Sequence, residues 1–277
     1  MFESNHRFAD LHLHTNLSDG AYSPKELIDK LLPFGLKAIA IVDHDEVGAL
    51  EDAIRYGKKQ GLEVIPGVEL SVRFKHIEIH LLGYFIDFQN EELKEYLKFV
   101  KSERIKRVER IIKKLEKSGI YITLDRVLQQ SGDGSVGRPH IAKVLVEEGY
   151  VFSFQEAFNK YLANNQPAYE PNYKIEIHEA LNLITSAGGI SCIAHPGIDL
   201  TDEALITLIK AGVQGIETIH PKHNSAQTEF YSRLAKKFNL LETGGSDYHG
   251  GSQSHETLGQ YKVPYSVVEQ MKKITGN

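Results

Sequence analysis

Residues 8–35 read FADLHLHTNLSDGAYSPKELIDKLLPFG. The first six form a short, largely apolar strand candidate, and the tail is an amphipathic helix with readable ends. Ser23 and Glu26 make a capping box, Pro24 suits the first helical position and Gly35 the C-terminal cap. Between the two lies Asp10-Leu-His12-Leu-His14, with Asp19 five residues on. Residues i and i+2 of a strand face the same side, so His12 and His14 present two imidazoles to one point. Asp19 can return to that point after the turn. Two such histidines with a nearby carboxylate make a half-site for a first-row metal; the competing reading is a surface or core histidine pair.

Outward from this stretch, strand candidates at 37–42, 62–66, 77–86, 190–194, 215–219 and 239–243 alternate with helices, among them 46–60 and 176–187. Such alternation predicts an α/β fold on a parallel sheet, open or closed into a barrel. The rhythm breaks between about 89 and 175. There a long charged helix, 91–118, carries an apolar stripe of Leu93, Leu97, Val100, Val108, Ile111 and Leu115. Shorter helices follow near 124–130, 138–148 and 153–163. The expectation is a barrel of residues 1–88 and 176–277, interrupted by a helical insertion, or cap, over 89–175.

Other histidines and carboxylates fall at strand ends. His44, in Asp43-His44-Asp45, follows KAIAIV; Glu69 follows LEVIP and a turn at Gly67; His80 lies within IEIHLLGY; His195 follows GGISCIA. Asp247 and His249 follow the seventh strand candidate in GGSDYHG. In a barrel these ends converge on one face, where catalytic groups gather. The candidate ligands are therefore His12, His14, Asp19, His44, Glu69, His80, His195, Asp247 and His249. They are too many for one tetrahedral ion and include no thiolate. Two or three divalent ions are expected, Mn²⁺ favoured, with Fe²⁺ or Zn²⁺ as alternatives.

Composition narrows the function class. The 277 residues are 41% hydrophobic and carry a net charge of −5, with one cysteine, Cys192. No run approaches the roughly 18 apolar residues of a membrane span. The N-terminal residues lack the apolar core of a signal peptide. A basic excess suited to duplex DNA is missing, whereas bound cations would let an anionic substrate dock locally. The lone cysteine suits a reducing compartment, so the cytoplasm is expected.

In order, HLHTNLSDG, VDHD, GVELS, AHP and GGSDYH resemble the motifs of the polymerase and histidinol phosphatase (PHP) family, and the resemblance runs through the whole chain. It implies a distorted (β/α)₇ barrel with a two- or three-metal centre. His12 and His14 would bind one ion, Glu69 would bridge, and the other candidates would complete the cluster. The inserted segment, with GRPHIA and QPAYEP, resembles the branch of small phosphatases acting on nucleotides. That branch includes 3′,5′-nucleoside bisphosphate phosphatases and a 5′→3′ exoribonuclease acting on short RNA. The chain departs from it at Tyr169-Glu170-Pro171 and across Thr218–His223, which bears on the substrate and leaves the ligand set untouched.

The expected activity is a metal-dependent phosphatase removing a phosphate from a small nucleotide, chiefly a nucleoside 3′,5′-bisphosphate, by attack of metal-bound hydroxide. The alternatives are a 5′→3′ exoribonuclease on short RNA, a histidinol phosphatase and, in a different class, a non-catalytic metal-binding domain. Arg138-Pro139-His140 opens a helix, where a guanidinium and helix-terminal amides suit a phosphate; Arg138 and His140 are candidate substrate contacts. Arg104 falls on the apolar stripe and is a third candidate, its stem packing and its head reaching either phosphate or water. Arg107 and Arg110 are expected to be solvated. Asp247 is a candidate proton-handling residue. His223 is a candidate for that role and for contact with the scissile phosphate, with His220 the weaker of the pair. Tyr169 and Tyr173 are candidate stacking partners for a base. His6, His76, His178 and His255 have no supporting pattern and are expected to be structural or exposed.

Overall fold

The computed structural model describes residues 7–132, 134–197, 200–251 and 257–276; His6 and His255 lie outside them. Strand β1 (Phe8–Leu13) leads through the quoted loop into α1 (Pro24–Leu31), which has the expected Ser23–Glu26 capping box. Then follow β2 (Ala38–Ile41), α2 (Leu50–Gln60), β3 (Glu63–Phe74) and β4 (Ile77–Tyr84). The helical stretch comprises α3 (Glu91–Lys117), α4 (Leu124–Ser131), α5 (Arg138–Glu147), α6 (Phe154–Ala157) and a π-helical turn, Phe158–Leu162. The chain resumes alternation with β5 (Ile175–Glu176), α7 (Ile177–Ser186), β6 (Ile190–Ile193), α8 (Asp202–Lys210), β7 (Gly215–Ile219), α9 (Ser225–Phe238) and β8 (Leu241–Gly244). It ends with β9 (Val263–Pro264) and α10 (Ser266–Thr275).

The sheet order is β8-β7-β6-β4-β3-β2-β1-β9, with β5 beside β3. Main-chain contacts nearly close it. The His14 N–H donates to the Tyr248 carbonyl over 3.1 Å, and the Ser246 N–H donates to Asp10 Oδ1 over 2.9 Å. Gly245 permits this approach, since a Cβ there would lie 2.4 Å from the His12 nitrogen. The expected distorted barrel is thus present. Two strands depart from the parallel pattern: β4 runs antiparallel to both β3 and β6, and the short β9 runs antiparallel to β1. The Gly67 turn is also absent. Gly67 lies inside β3, where a Cβ would meet Val42 Cγ1 at 2.6 Å and the Gly83 carbonyl at 2.9 Å. The glycine serves a close approach within the sheet, and Glu69 sits mid-strand.

Alternation along the strands divides the core. In β2, Ile39 and Ile41 pack with the apolar faces of α1, α7 and α8, while Ala38 and Ala40 join a second cluster with Tyr84, Cys192 and Met271 of α10. A third cluster joins Val108, Ile111 and Leu115 of α3 to Val127 of α4 and Ile141, Val144 and Leu145 of α5. Leu93 and Leu97, earlier on α3, pack in the first cluster. The long helix therefore bridges two cores, which holds the helical stretch beside the sheet. Among the described residues no helix is long and apolar enough to cross a membrane.

Candidate active site

All nine nominated ligand residues come together. Glu69, fully buried, is their hub. Its Oε2 lies 3.3 Å from His12 Nε2, 3.2 Å from His14 Nε2 and 3.1 Å from His44 Nδ1. Its Oε1 lies 2.9 Å from His80 Nδ1 and 3.2 Å from His195 Nε2. Asp247 Oδ1 is 3.4 Å from His12 Nε2 and 3.3 Å from His14 Nε2, and Asp19 Oδ1 is 3.1 Å from His249 Nε2. Three groups have ligand atoms within 4.8 Å of one another: His14, Asp19, His44 and His249; His12, His14 and Asp247; and His44, Glu69 and His80.

This donor set fits divalent cations. A carboxylate has about four lone-pair sites, yet five imidazoles crowd Glu69. Ring nitrogens also face one another, 3.1 Å apart for His12 and His14 and 3.3 Å for His80 and His195. Cations among them would take up these lone pairs. The protein's own charges show the same demand. Burial disfavours charge on His14, but Asp247 and Glu69 outweigh it and raise the imidazole to about 10. Burial would likewise raise Glu69 and Asp247, but the surrounding histidines hold both well below the usual carboxylate range. His44, where burial dominates, falls to about 3.

Three residues of the site carry backbone strain. His195, Asp247 and Asp45 adopt positive φ, at 27°, 49° and 50°. Such non-glycine conformations cost about 1–3 kcal/mol each and cluster where function fixes the geometry.

Beside the candidate ligands lies a cavity of about 240 Å³, whose lining includes Asp19, His44 and His80 together with Arg104, Arg107 and Arg138. Arg104 is buried and hydrogen-bonded to Asp45 and Ser71, with its Nε unpartnered. Arg107, expected to be solvated, is buried instead: its Nε donates to the Glu170 carbonyl over 2.9 Å. Burial, Arg138 and Arg104 together lower it to about 9. Arg138 donates to the Leu162 carbonyl over 3.1 Å and stands over the rings of Phe158 and Tyr169. His140 Nδ1 accepts the Gly137 N–H over 3.0 Å, and burial lowers this imidazole to about 4, so it is neutral and offers Nε2–H. Ser135 Oγ, buried in the lining of the same cavity, has no partner among the described residues. Arg110 is about half exposed and pairs with Glu170.

His220 and His223 exchange the places expected of them. His223 Nδ1 donates to the Thr218 carbonyl over 3.1 Å, and its Nε2 accepts the Gly197 N–H over 3.4 Å. Both nitrogens are occupied by main chain, so neither is free to give a proton to a leaving group. His220 is the one that reaches the centre, with Nε2 3.2 Å from Asp247 Oδ2. Sequence reasoning also passed over Glu217, fully buried in β7, with Oε1 3.0 Å from His12 Nδ1. Its signal was a carboxylate inside the otherwise uncharged strand GIETI. His76 and His178 are not in the cluster; Tyr169 lines the cavity, and Tyr173 packs edge-on against Phe99.

Comparison with known proteins agrees with this geometry. The PHP domain family matches residues 10–180. A 5′-3′ exoribonuclease of Haemophilus influenzae is 35% identical over 245 residues, 87% of this chain and 89% of the relative. A 3′,5′-nucleoside bisphosphate phosphatase of Chromobacterium violaceum is 30% identical over 256 residues, 90% of each. A Bifidobacterium adolescentis protein, provisionally described as a metal-dependent phosphoesterase, superposes with a TM-score of 0.88 at 30% identity, covering 96% of both chains. With its motifs in order and its candidate ligand residues assembled in a distorted barrel, the chain belongs to the PHP family of metal-dependent phosphoesterases.

Proposed function

We propose that this enzyme removes one phosphate from a small nucleotide carrying two, a nucleoside 3′,5′-bisphosphate. The observation that carries the reading is the shared cavity, whose lining includes both the candidate ligands His44, Asp19 and His80 and the guanidinium groups of Arg104, Arg107 and Arg138. Guanidinium groups match phosphate in geometry and charge. A phosphate held by them would leave the second one to face the candidate ligand cluster lining the same cavity.

His12, His14, Asp19, His44, Glu69, His80, His195, Asp247 and His249 would hold divalent cations, which would supply Lewis acidity to phosphoryl transfer and lower the pKa of water; Mn²⁺ is our first choice. The remaining work belongs to the protein. The three arginines and the unpartnered Ser135 hydroxyl hold the remote phosphate and orient the ester. His140, neutral, adds a hydrogen-bond donor rather than charge. Asp247, kept ionised by its histidine neighbours, accepts a hydrogen bond from the incoming water rather than donating a proton. We place the enzyme in the cytoplasm on its lone cysteine, which is buried and free.

The likeness to the H. influenzae protein favours a second reading, short RNA shortened from its 5′ end. A wider open cavity, about 570 Å³, adjoins the first and shares Glu78, His80, Arg138 and Tyr169 with it, which would give a longer chain a path. Turnover of a nucleoside 3′,5′-bisphosphate, a 5′-phosphorylated trinucleotide and histidinol phosphate, compared by kcat/KM, tests the choice. The bisphosphate ranks first in our reading; preference for the trinucleotide would replace it with the exonuclease.

A further inference from the structure

Strand β7 and the loop after it contribute none of the nine nominated ligands, yet they touch ligands from three other strands. We infer that Glu217 and His220 are positioning residues that set the orientation and tautomer of the metal ligands around them. The inference rests on the reading of the cluster as a metal centre.

The hydrogen bonds determine where each proton sits. Glu217 is fully buried, and its Oε1 lies 3.0 Å from His12 Nδ1. An ionised carboxylate only accepts, so Nδ1 carries the proton and the Nε2 lone pair of His12 faces Glu69 and Asp247. The other oxygen, Oε2, accepts the main-chain N–H of His195 over 2.7 Å. That bond holds a residue whose φ is 27°, outside the range that side chains prefer. One carboxylate thus fixes the ring of one ligand and the backbone of another.

His220 acts on a third. Its Nδ1 accepts the Lys222 N–H over 3.1 Å, which leaves Nε2 as the ring nitrogen that carries a proton. That N–H points at Asp247 Oδ2, 3.2 Å away, and leaves Oδ1 directed at His12 and His14. Because Nε2 bears the proton, His220 itself is not a ligand. It holds Asp247, another residue at positive φ, so that one chosen oxygen faces the centre. Outer-shell partners of this kind typically contribute 10–100-fold to metal affinity or activity.

The test is Mn²⁺ binding by isothermal titration to chelated full-length protein: native, Glu217→Gln, His220→Ala and His220→Gln. The Gln at 220 can return an N–H donor to Asp247. Glu217→Gln and His220→Ala should each weaken Mn²⁺ binding about 10–100-fold, and His220→Gln should recover most of the loss. At saturating Mn²⁺ the change should fall on kcat with substrate KM held. Native-like Mn²⁺ affinity in Glu217→Gln and His220→Ala, or equal losses in the two His220 variants, would overturn the inference. Should Glu217→Gln not fold, the His220 pair decides. A native chain that binds no Mn²⁺, Fe²⁺ or Zn²⁺ would instead refute the metal-centre reading underneath.

Discussion

Arg104, on the long helix α3, is hydrogen-bonded to Asp45, the residue after the metal-ligand candidate His44. Both side chains are buried, and Asp45 also accepts the Ser71 N–H over 3.0 Å and the Ser71 hydroxyl over 2.9 Å. The helical stretch that supplies the cavity arginines is thereby tied to the segment after β2, which carries His44, and to β3, which carries Glu69. A buried pair of this kind stabilises little on balance, but losing one partner leaves a charge stranded.

Asp45→Ala should therefore destabilise the protein by about 3–5 kcal/mol. Urea unfolding followed by circular dichroism measures it. A loss under about 1 kcal/mol would show that the ion pair does not hold the two parts together.

Arg138→Ala should lower kcat/KM for a nucleoside 3′,5′-bisphosphate much more than for the matching monophosphate, because only the former carries the remote phosphate. Removing a charge-assisted hydrogen bond costs about 1.5–3 kcal/mol, about 10–150-fold in kcat/KM. Steady-state phosphate release on both substrates decides, and equal losses would remove Arg138 from substrate recognition.

His223→Gln should change kcat by less than about tenfold and leave the pH–rate profile in place, since the native imidazole serves main-chain groups. A proton-transfer role would be worth about 100–10,000-fold. A loss of that size, with the basic limb displaced, would restore His223 to the chemistry.

Much of this cluster was legible because its candidate ligands obey short rules. His12 and His14 declare themselves by the i, i+2 spacing, and His195, Asp247 and His249 by following β-branched or apolar runs. Glu217 and His220 were harder to see, because each works through a residue far away in sequence. The direction of β4 was hidden by Gly67. Taken as a turn, it left ten residues between strand candidates 62–66 and 77–86. In fact β3 runs to Phe74, and two residues separate it from β4. A gap that short permits only a hairpin, since parallel neighbours need a crossover of a dozen or more residues. Arg107 was misread although its spacing from Arg104 and Ile111 puts it on the buried stripe of α3.

The metal-free protein should lose stability as pH rises from 6.5, the ordinary imidazole value, to about 10. His14 is raised to about 10, against the effect of burial, by Asp247 and Glu69. Its contribution is complete below 6.5 and disappears as the folded ring deprotonates. Cation affinity should climb over the same range as fewer protons compete for the ligands. Unfolding of chelated protein across this pH series, beside Mn²⁺ titrations, provides both slopes. A flat metal-free profile would contradict the charge balance drawn for Glu69, Asp247 and His14.

The central claim is met most directly by phosphate release from a nucleoside 3′,5′-bisphosphate, using chelated protein before and after Mn²⁺ is restored. The account predicts no turnover without metal and, once Mn²⁺ returns, release of one phosphate per substrate molecule. Undiminished turnover by fully chelated protein, or none by protein shown to hold Mn²⁺, would contradict it.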